Sequence, residues 1–295
     1  MNWKELQKHR HLHSARTIRF ANILAGLSAL LLLSAPYVQS QGSISKAWSV
    51  LQFGATDKSK DRRAAAVGVL GLMENNPTAA DMAVNALKDS EADVRTSAAD
   101  ALGKMKARSA APKLVELARA EKDAAVVLAC GRSLITFGDP LGYNIYYAVL
   151  TGERKSGASL LDEQKKMLND PKRMAEFGFE TGIGFIPFGG IGLTAFKTLT
   201  KDDTSPVRAA AAQILTNDRD PKTAQALVAA ASDKSWIVRA AALNAISHRN
   251  DPALASQIEA QLDDDKDIVR FTAAAAILHL QDIKQAAAKR TKKPS

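Results

Sequence analysis

Apolar residues recur at helical spacing along most of this chain, and they recur in register. Five ten-residue segments align without gaps: 61–70, 93–102, 206–215, 237–246 and 268–277. A weaker sixth, 125–134, fits between them. Each of the five carries an arginine at its third position, so the marker runs Arg63, Arg95, Arg208, Arg239, Arg270, with Val127 standing in the sixth segment. The intervals along the chain are 32, 32, 81, 31 and 31 residues. Within a segment the apolar positions, for example Val94, Ala98, Ala101 and Leu102, make one stripe on a helix, and the small Ala at its centre allows a neighbouring helix to come close. Between markers lies a second amphipathic run opened by turn chemistry, at Asn76-Pro77, Asp220-Pro221 and Asp251-Pro252. Proline suits a helix start because its missing N–H would have had no partner there. Two helices and two turns fill each period, which predicts an all-α fold: an α-solenoid superhelix of antiparallel helix pairs with 31–32-residue repeats.

The pattern breaks at three places. Residues 43 to 53 put Ile44, Ala47, Trp48 and Leu51 on one face, the register of a second helix without its first, and Trp48 reads as covering the core. The last marker helix, 268–280, lacks its second, so the array starts and stops on a half repeat and is open to end-to-end contact between chains. The 81-residue interval holds an insertion of about 50 residues, 152–201. Five of the nine Phe (177, 179, 185, 188, 196) and six of the 17 Gly fall within 177–196, an enrichment that no repeat requires. This segment either fills a groove between repeats, or docks a partner or a membrane surface through residues such as Phe185 and Phe188.

The D-x-x-V-R-x-x-A-A-x-A-L pattern, visible as Glu91-Ala92-Asp93-Val94-Arg95 through Leu102 and as Asp265 through Ile277, resembles the HEAT-like repeats named after phycobilisome lyases. That resemblance implies a solenoid and says little about activity. Some relatives with such repeats are di-iron hydroxylases with paired His-Glu motifs, but here His248 is followed by Arg249 and His279 by Leu280. The ligands for that chemistry are missing.

The formal charge of +9 comes from the ends. Residues 1–40 hold five bases and one acid, 284–295 hold five bases and no acid, and 41–283 hold 30 of each. A neutral body argues against nucleic-acid binding. The polar, basic stretch 1–20, the uncharged 21–35 and Val38-Gln39-Ser40 have the layout of a signal peptide cut after Ser40. An uncleaved anchor is the alternative; either places the body across the cytoplasmic membrane, periplasmic or anchored facing the periplasm. The domain reading is therefore 1–40 signal or anchor, 41–151 N-terminal repeats, 152–201 insertion, 202–283 C-terminal repeats and 284–295 a basic disordered tail.

Searching for chemistry returns structural readings. The arginine ladder reads as stacked side chains bonding the adjacent repeat's turn, with Asp93, Asp203, Asp233 and Asp265 capping helix starts. His248 and His279 share one repeat position, nine after the marker, read as a helix C-terminus. Their backbones, about 10 Å apart on the spacing of packed helices, do not suit a shared metal. Cys130 aligns with buried Ala98 and cannot form an internal disulfide. The expectation is a chain with no catalytic, cofactor or metal residues: a non-catalytic protein-interaction scaffold of the cell envelope. It would bind a protein partner on its second helices, with the cluster Tyr143, Tyr146 and Tyr147 as anchor. An accessory lyase or oxidoreductase-like enzyme, and membrane-surface binding through the Phe/Gly insertion, are the alternatives.

Overall fold

The computed structural model describes residues 41–151, 204–218 and 220–291. Signal, insertion and Phe185 and Phe188 lie outside them. Residues from Lys46 onward form one compact unit, distinct from Met1–Ser45. Among the described residues every regular element is helical, as the periodicity predicts, and no helix is long and apolar enough to cross a membrane.

The N-terminal half contains α1 (41–55), α2 (Lys60–Gly68) continued by a 3-10 turn Val69–Leu72, α3 (Pro77–Ala86), α4 (Ala92–Lys104), α5 (Ala111–Ala120), α6 (Ala124–Phe137) and α7 (Leu141–Thr151). The C-terminal half contains α8 (Ser205–Ile214), α9 (Pro221–Ala230), α10 (Trp236–His248), a 3-10 segment Pro252–Asp263 and α11 (Asp267–Thr291). Local chemistry sets the boundaries. Pro77 and Pro221 open their helices behind Asn76 and Asp220, whose side chains accept from Ala79 and Lys222 N–H. Left-handed residues stop the marker helices: Asn75 at φ 58°, Lys106 at 57°, Asn250 at 55° and Gly138 at 78°, the last being the residue type that takes this conformation without a Cβ penalty.

The marker helices α2, α4, α6, α8, α10 and α11 pack directly on one another, while the second helices lie outside and touch each other little. Small residues cause this difference. Ala98, Ala101, Ala242, Ala245, Ala273 and Ala276 are all at most 1% exposed and let the marker row close up, which bends the array toward that row.

The two halves join in an order the chain does not suggest. α11 packs on α2 and its 3-10 extension, so the row reads α8, α10, α11, α2, α4, α6. Helix α1 supplies the second helix that α11 lacks. Its Ala47 and Leu51 are fully buried, Lys46 Nζ donates to Asp263 Oδ1 at 2.6 Å, and Gly54 lies so close to Phe271 and Ala66 that an added Cβ would stand 2.5 Å from the ring and 2.7 Å from Ala66 Cβ. Trp48 is half-buried on the same helix. The two half repeats expected to open the ends to another chain instead complete each other within this one. The basic tail differs from expectation too, because α11 continues through Lys284, Lys289 and Arg290 to Thr291 as helix.

Candidate functional site

The arginine ladder has a regular geometry. Arg63 grips Asp89 with Nε–Oδ2 2.7 Å and Nη2–Oδ1 2.8 Å, Arg95 reaches Glu121 at 2.7 Å, Arg208 reaches Asp233 at 3.2 Å, and Arg239 reaches both oxygens of Asp264 at 2.7 Å. Arg63, Arg95 and Arg239 also donate backward to their own turn, Arg95 Nη1 to Asp89 O and Ser90 O at 2.9 Å each. Each acid also takes a backbone N–H two residues on, as Asp89 does from Glu91 at 2.9 Å and Asp264 from Lys266 at 2.9 Å. Arg63 holds the Asp89 carboxyl below its usual range. Burial works against the charge of Glu121, and Arg95 with the backbone N–H groups of Asp123 and Lys122 outweighs it, so that its pKa is lowered as well.

Of the four acids that helix-capping logic selects from the sequence, only Asp233 is among these ladder acids. Asp93 pairs with Lys60 at 2.7 Å, inside the first turn of α4. Asp265 pairs with Arg239 and Lys266, Asp233 serves the ladder, and Asp203 lies outside the described residues. The signal that finds the right set is an acid six residues before each marker position: Asp57, Asp89, Glu121, Asp202, Asp233 and Asp264, of which Asp202 lies outside the described residues. At the joint between the halves the rung changes hands. Arg270 bonds Asp267 and Asp264 O, and Arg62 takes Asp57 at 2.8 Å and Asp267 Oδ1 at 3.0 Å.

The inner face of the row carries a concavity with convergent polar groups, a hollow of about 380 Å³. Lys104 and Gln213 both line it, although four steps of packed helices would separate them by about 40 Å in a straight stack. The row therefore curves sharply. The residue five after each marker shows why a hollow forms: in spatial order these are Gln213, Asn244, Ala275, Gly68, Asp100 and Arg132. The two smallest fall together at the joint between the halves, and amides flank them on one side. Gln213 Nε2 donates to Asn244 Oδ1 at 3.4 Å; on the far side Arg132 grips Asp100 at 2.7 and 2.9 Å.

Both histidines open into this hollow. His248 ends α10, with Nδ1 2.9 Å from Asn244 O, the carbonyl one turn back. His279 lies in mid-helix and not at a C-terminus, because α11 runs on to Thr291; its Nε2 is 3.2 Å from Asn250 Oδ1. Burial pushes the His279 pKa down, Asp282 and Glu74 oppose the shift, and His248 adds to it. Glu74 is paired to Lys106 at 3.0 Å. The hollow thus combines hydrogen-bonding side chains with Lys104 and Glu74 around small residues such as Gly68 and Gly71, and no cluster of His, Cys, Asp or Glu among the described residues is arranged to hold a metal.

The tyrosines divide. Tyr146 is half-buried over Gly131 and donates to Leu128 O at 3.2 Å, so it props α7 on α6. Tyr143 and Tyr147 are 63% and 62% exposed at the end of the row. Cys130 is fully buried, in the stripe where its alignment put it.

A family model described as HEAT repeats matches residues 49–135 and 194–278. Solved structures similar to the chain include human deoxyhypusine hydroxylase in complex with glycerol, at 18% identity over 83% of this chain and 99% of that one, with a TM-score of 0.30. Another is the complex of CpcE and CpcF of phycocyanin lyase from Nostoc, at 18% identity over 80% and 92%, with a TM-score of 0.32. No curated protein matches the sequence.

Proposed function

Since the chain belongs to the HEAT-repeat family by a match over both of its halves, we propose that it is a non-catalytic scaffold of the cell envelope whose partner is a protein held against the inner face of the marker row. One observation carries this reading: the halves join so that groups from both, Lys104 and Leu72 on one side and Gln213, Asn244, His248 and His279 on the other, converge on a single hollow. A solenoid binds through its concave side because only there do successive repeats reach one ligand together. This moves the expected binding surface from the second helices to the first. Envelope location rests on the basic, then apolar, then small-residue order of residues 1–40.

The test is capture from a native envelope fraction by the full chain beside a Gln213→Ala/Asn244→Ala/Lys104→Ala variant and a Tyr143→Ala/Tyr147→Ala variant. Three lost hydrogen-bonding groups at about 1 kcal/mol each correspond to a roughly hundredfold weaker complex. A partner lost by the hollow variant and kept by the tyrosine variant supports the reading. A partner kept by the hollow variant overturns it.

A further inference from the structure

Nine residues after the marker stand Leu72, Lys104, His248 and His279, and all four line the hollow. Lys104 lies against the glycine of the level before it: a Cβ on Gly71 would stand 3.1 Å from both Cβ and Cδ of the lysine. The side chain of Lys104 is exposed and has no hydrogen bond or ion pair among the described residues. The acids around it are already engaged. Glu74 is held by Lys106 at 3.0 Å, Asp100 by Arg132 at 2.7 Å, and Asp282 accepts from Asn76 Nδ2 at 2.7 Å. Among the described side chains lining the hollow, Lys104 is therefore the charge without a counter-charge. The opposite wall offers a further donor and an acceptor. Asn244 Oδ1 accepts from Gln213 Nε2 at 3.4 Å, which leaves the Nδ2 protons of Asn244 for another acceptor. His248 Nδ1 lies 2.9 Å from Asn244 O; a carbonyl only accepts, so the ring proton sits on Nδ1 and Nε2 is left to accept.

We propose that the segment received by the hollow is an acidic peptide whose carboxylate pairs with Lys104, a claim that rests on the reading of the hollow as the site of a protein partner. The carboxylate belongs to an Asp or Glu side chain or to the partner's C-terminus; the chemistry at Lys104 is the same. Such a group brings the missing counter-charge and forms a charge-assisted hydrogen bond with the ammonium. A basic segment would meet repulsion at the same place, and an apolar one would strip water from the lysine without replacing it. The Nδ2 protons of Asn244 supply a second donor to the carboxylate, and His248 Nε2 accepts a peptide N–H. A peptide carries both groups, which separates it from a simple anion. The floor has space for it, because a Cβ on Gly68 would meet nothing within 4 Å.

The test presents the full chain with a degenerate library of synthetic nonapeptides in matched versions: with Asp and Glu or with Asn and Gln in their place, and each with a free or an amidated C-terminus. The full chain retains carboxylate-bearing peptides at least about tenfold better than the fully neutral version. Loss on amidation alone assigns the carboxylate to the C-terminus, and loss on the Asn/Gln exchange alone assigns it to a side chain. Lys104→Glu inverts the preference toward peptides rich in Lys and Arg, at an exposed position where circular dichroism stays unchanged. Gly68→Leu, which places a side chain in the open floor, abolishes retention without lowering Tm. Equal retention of acidic and neutral versions overturns the carboxylate and leaves the protein-partner reading standing, since that reading falls only with the envelope capture described above. An acid preference that survives Lys104→Glu or Gly68→Leu overturns the assignment to this hollow. Retention of no peptide in any version overturns the proposal as well.

Discussion

The joints within each half and the joint between the halves hold neighbouring levels together by different means. Within a half, each level ties to the next by a mostly buried arginine gripping a carboxylate 25 or 26 residues on; the Arg95 and Glu121 side chains are 16% and 8% exposed. Between the halves the fit is steric, Phe271 lying over Gly54 and Ala66, with ion pairs at the rim such as Arg62–Asp267, 43% and 33% exposed. Sequential joints can rely on polar rungs because the turn delivers the acid to a fixed place. A joint formed by distant segments has no such tether, so burial of a large side chain carries it.

The sharpest way to break the contrast is Phe271→Ala. Removing a ring that is 2% exposed should cost about 3–5 kcal/mol and part the halves, so that urea unfolding followed by Trp48 and by Trp236 ceases to coincide. Arg95→Met strands the carboxylate of Glu121 and should cost about 2 kcal/mol, with the two probes still moving together.

The rungs should also set the acid limb of stability. Asp89, held low by Arg63, and Glu121, held low against burial by Arg95, have folded pKa values below their unfolded ones. Their contribution is complete above the unfolded carboxylate range near about 4 and is lost as pH falls through the folded values. Arg63→Met should therefore flatten Tm against pH below about 4, and Phe271→Ala should not. His279, lowered by burial, acts in a higher window. The unfolded state gains its proton first, so stability declines as pH falls below about 6.5, and His279→Asn should remove that slope. The smallest effect belongs to Arg62→Ala, a rim pair expected to give under about 1 kcal/mol and to vanish in high salt.

Much of this was legible in the sequence. The markers and the small-residue stripe set the helices and their pairing, because a 31-residue period with Ala at fixed places has few other physical solutions. The ladder acids were equally legible, and the capping residues nearer the helix starts drew the reading away from them. The closure between halves was not legible: register says which face a residue occupies but not which level meets which when an insertion separates them. The hollow depends on that order. Ala275 and Gly68 are far apart in the chain and become neighbours only once α11 lies on α2. The helical tail beyond Ile283 had no apolar stripe to announce it, since Ala286, Ala287 and Ala288 are exposed.

Completing the last level with the first helix also orders events in time. Chain synthesis delivers α1 first, and the apolar side of Ala47, Leu51 and Gly54 has no lasting cover until Asp267–Thr291 has been made. A product cut short before α11 therefore keeps that apolar side of α1 uncovered, which favours aggregation. Once α11 has been made the same side is buried against it, so closure between the halves waits on a segment more than 200 residues further along the chain.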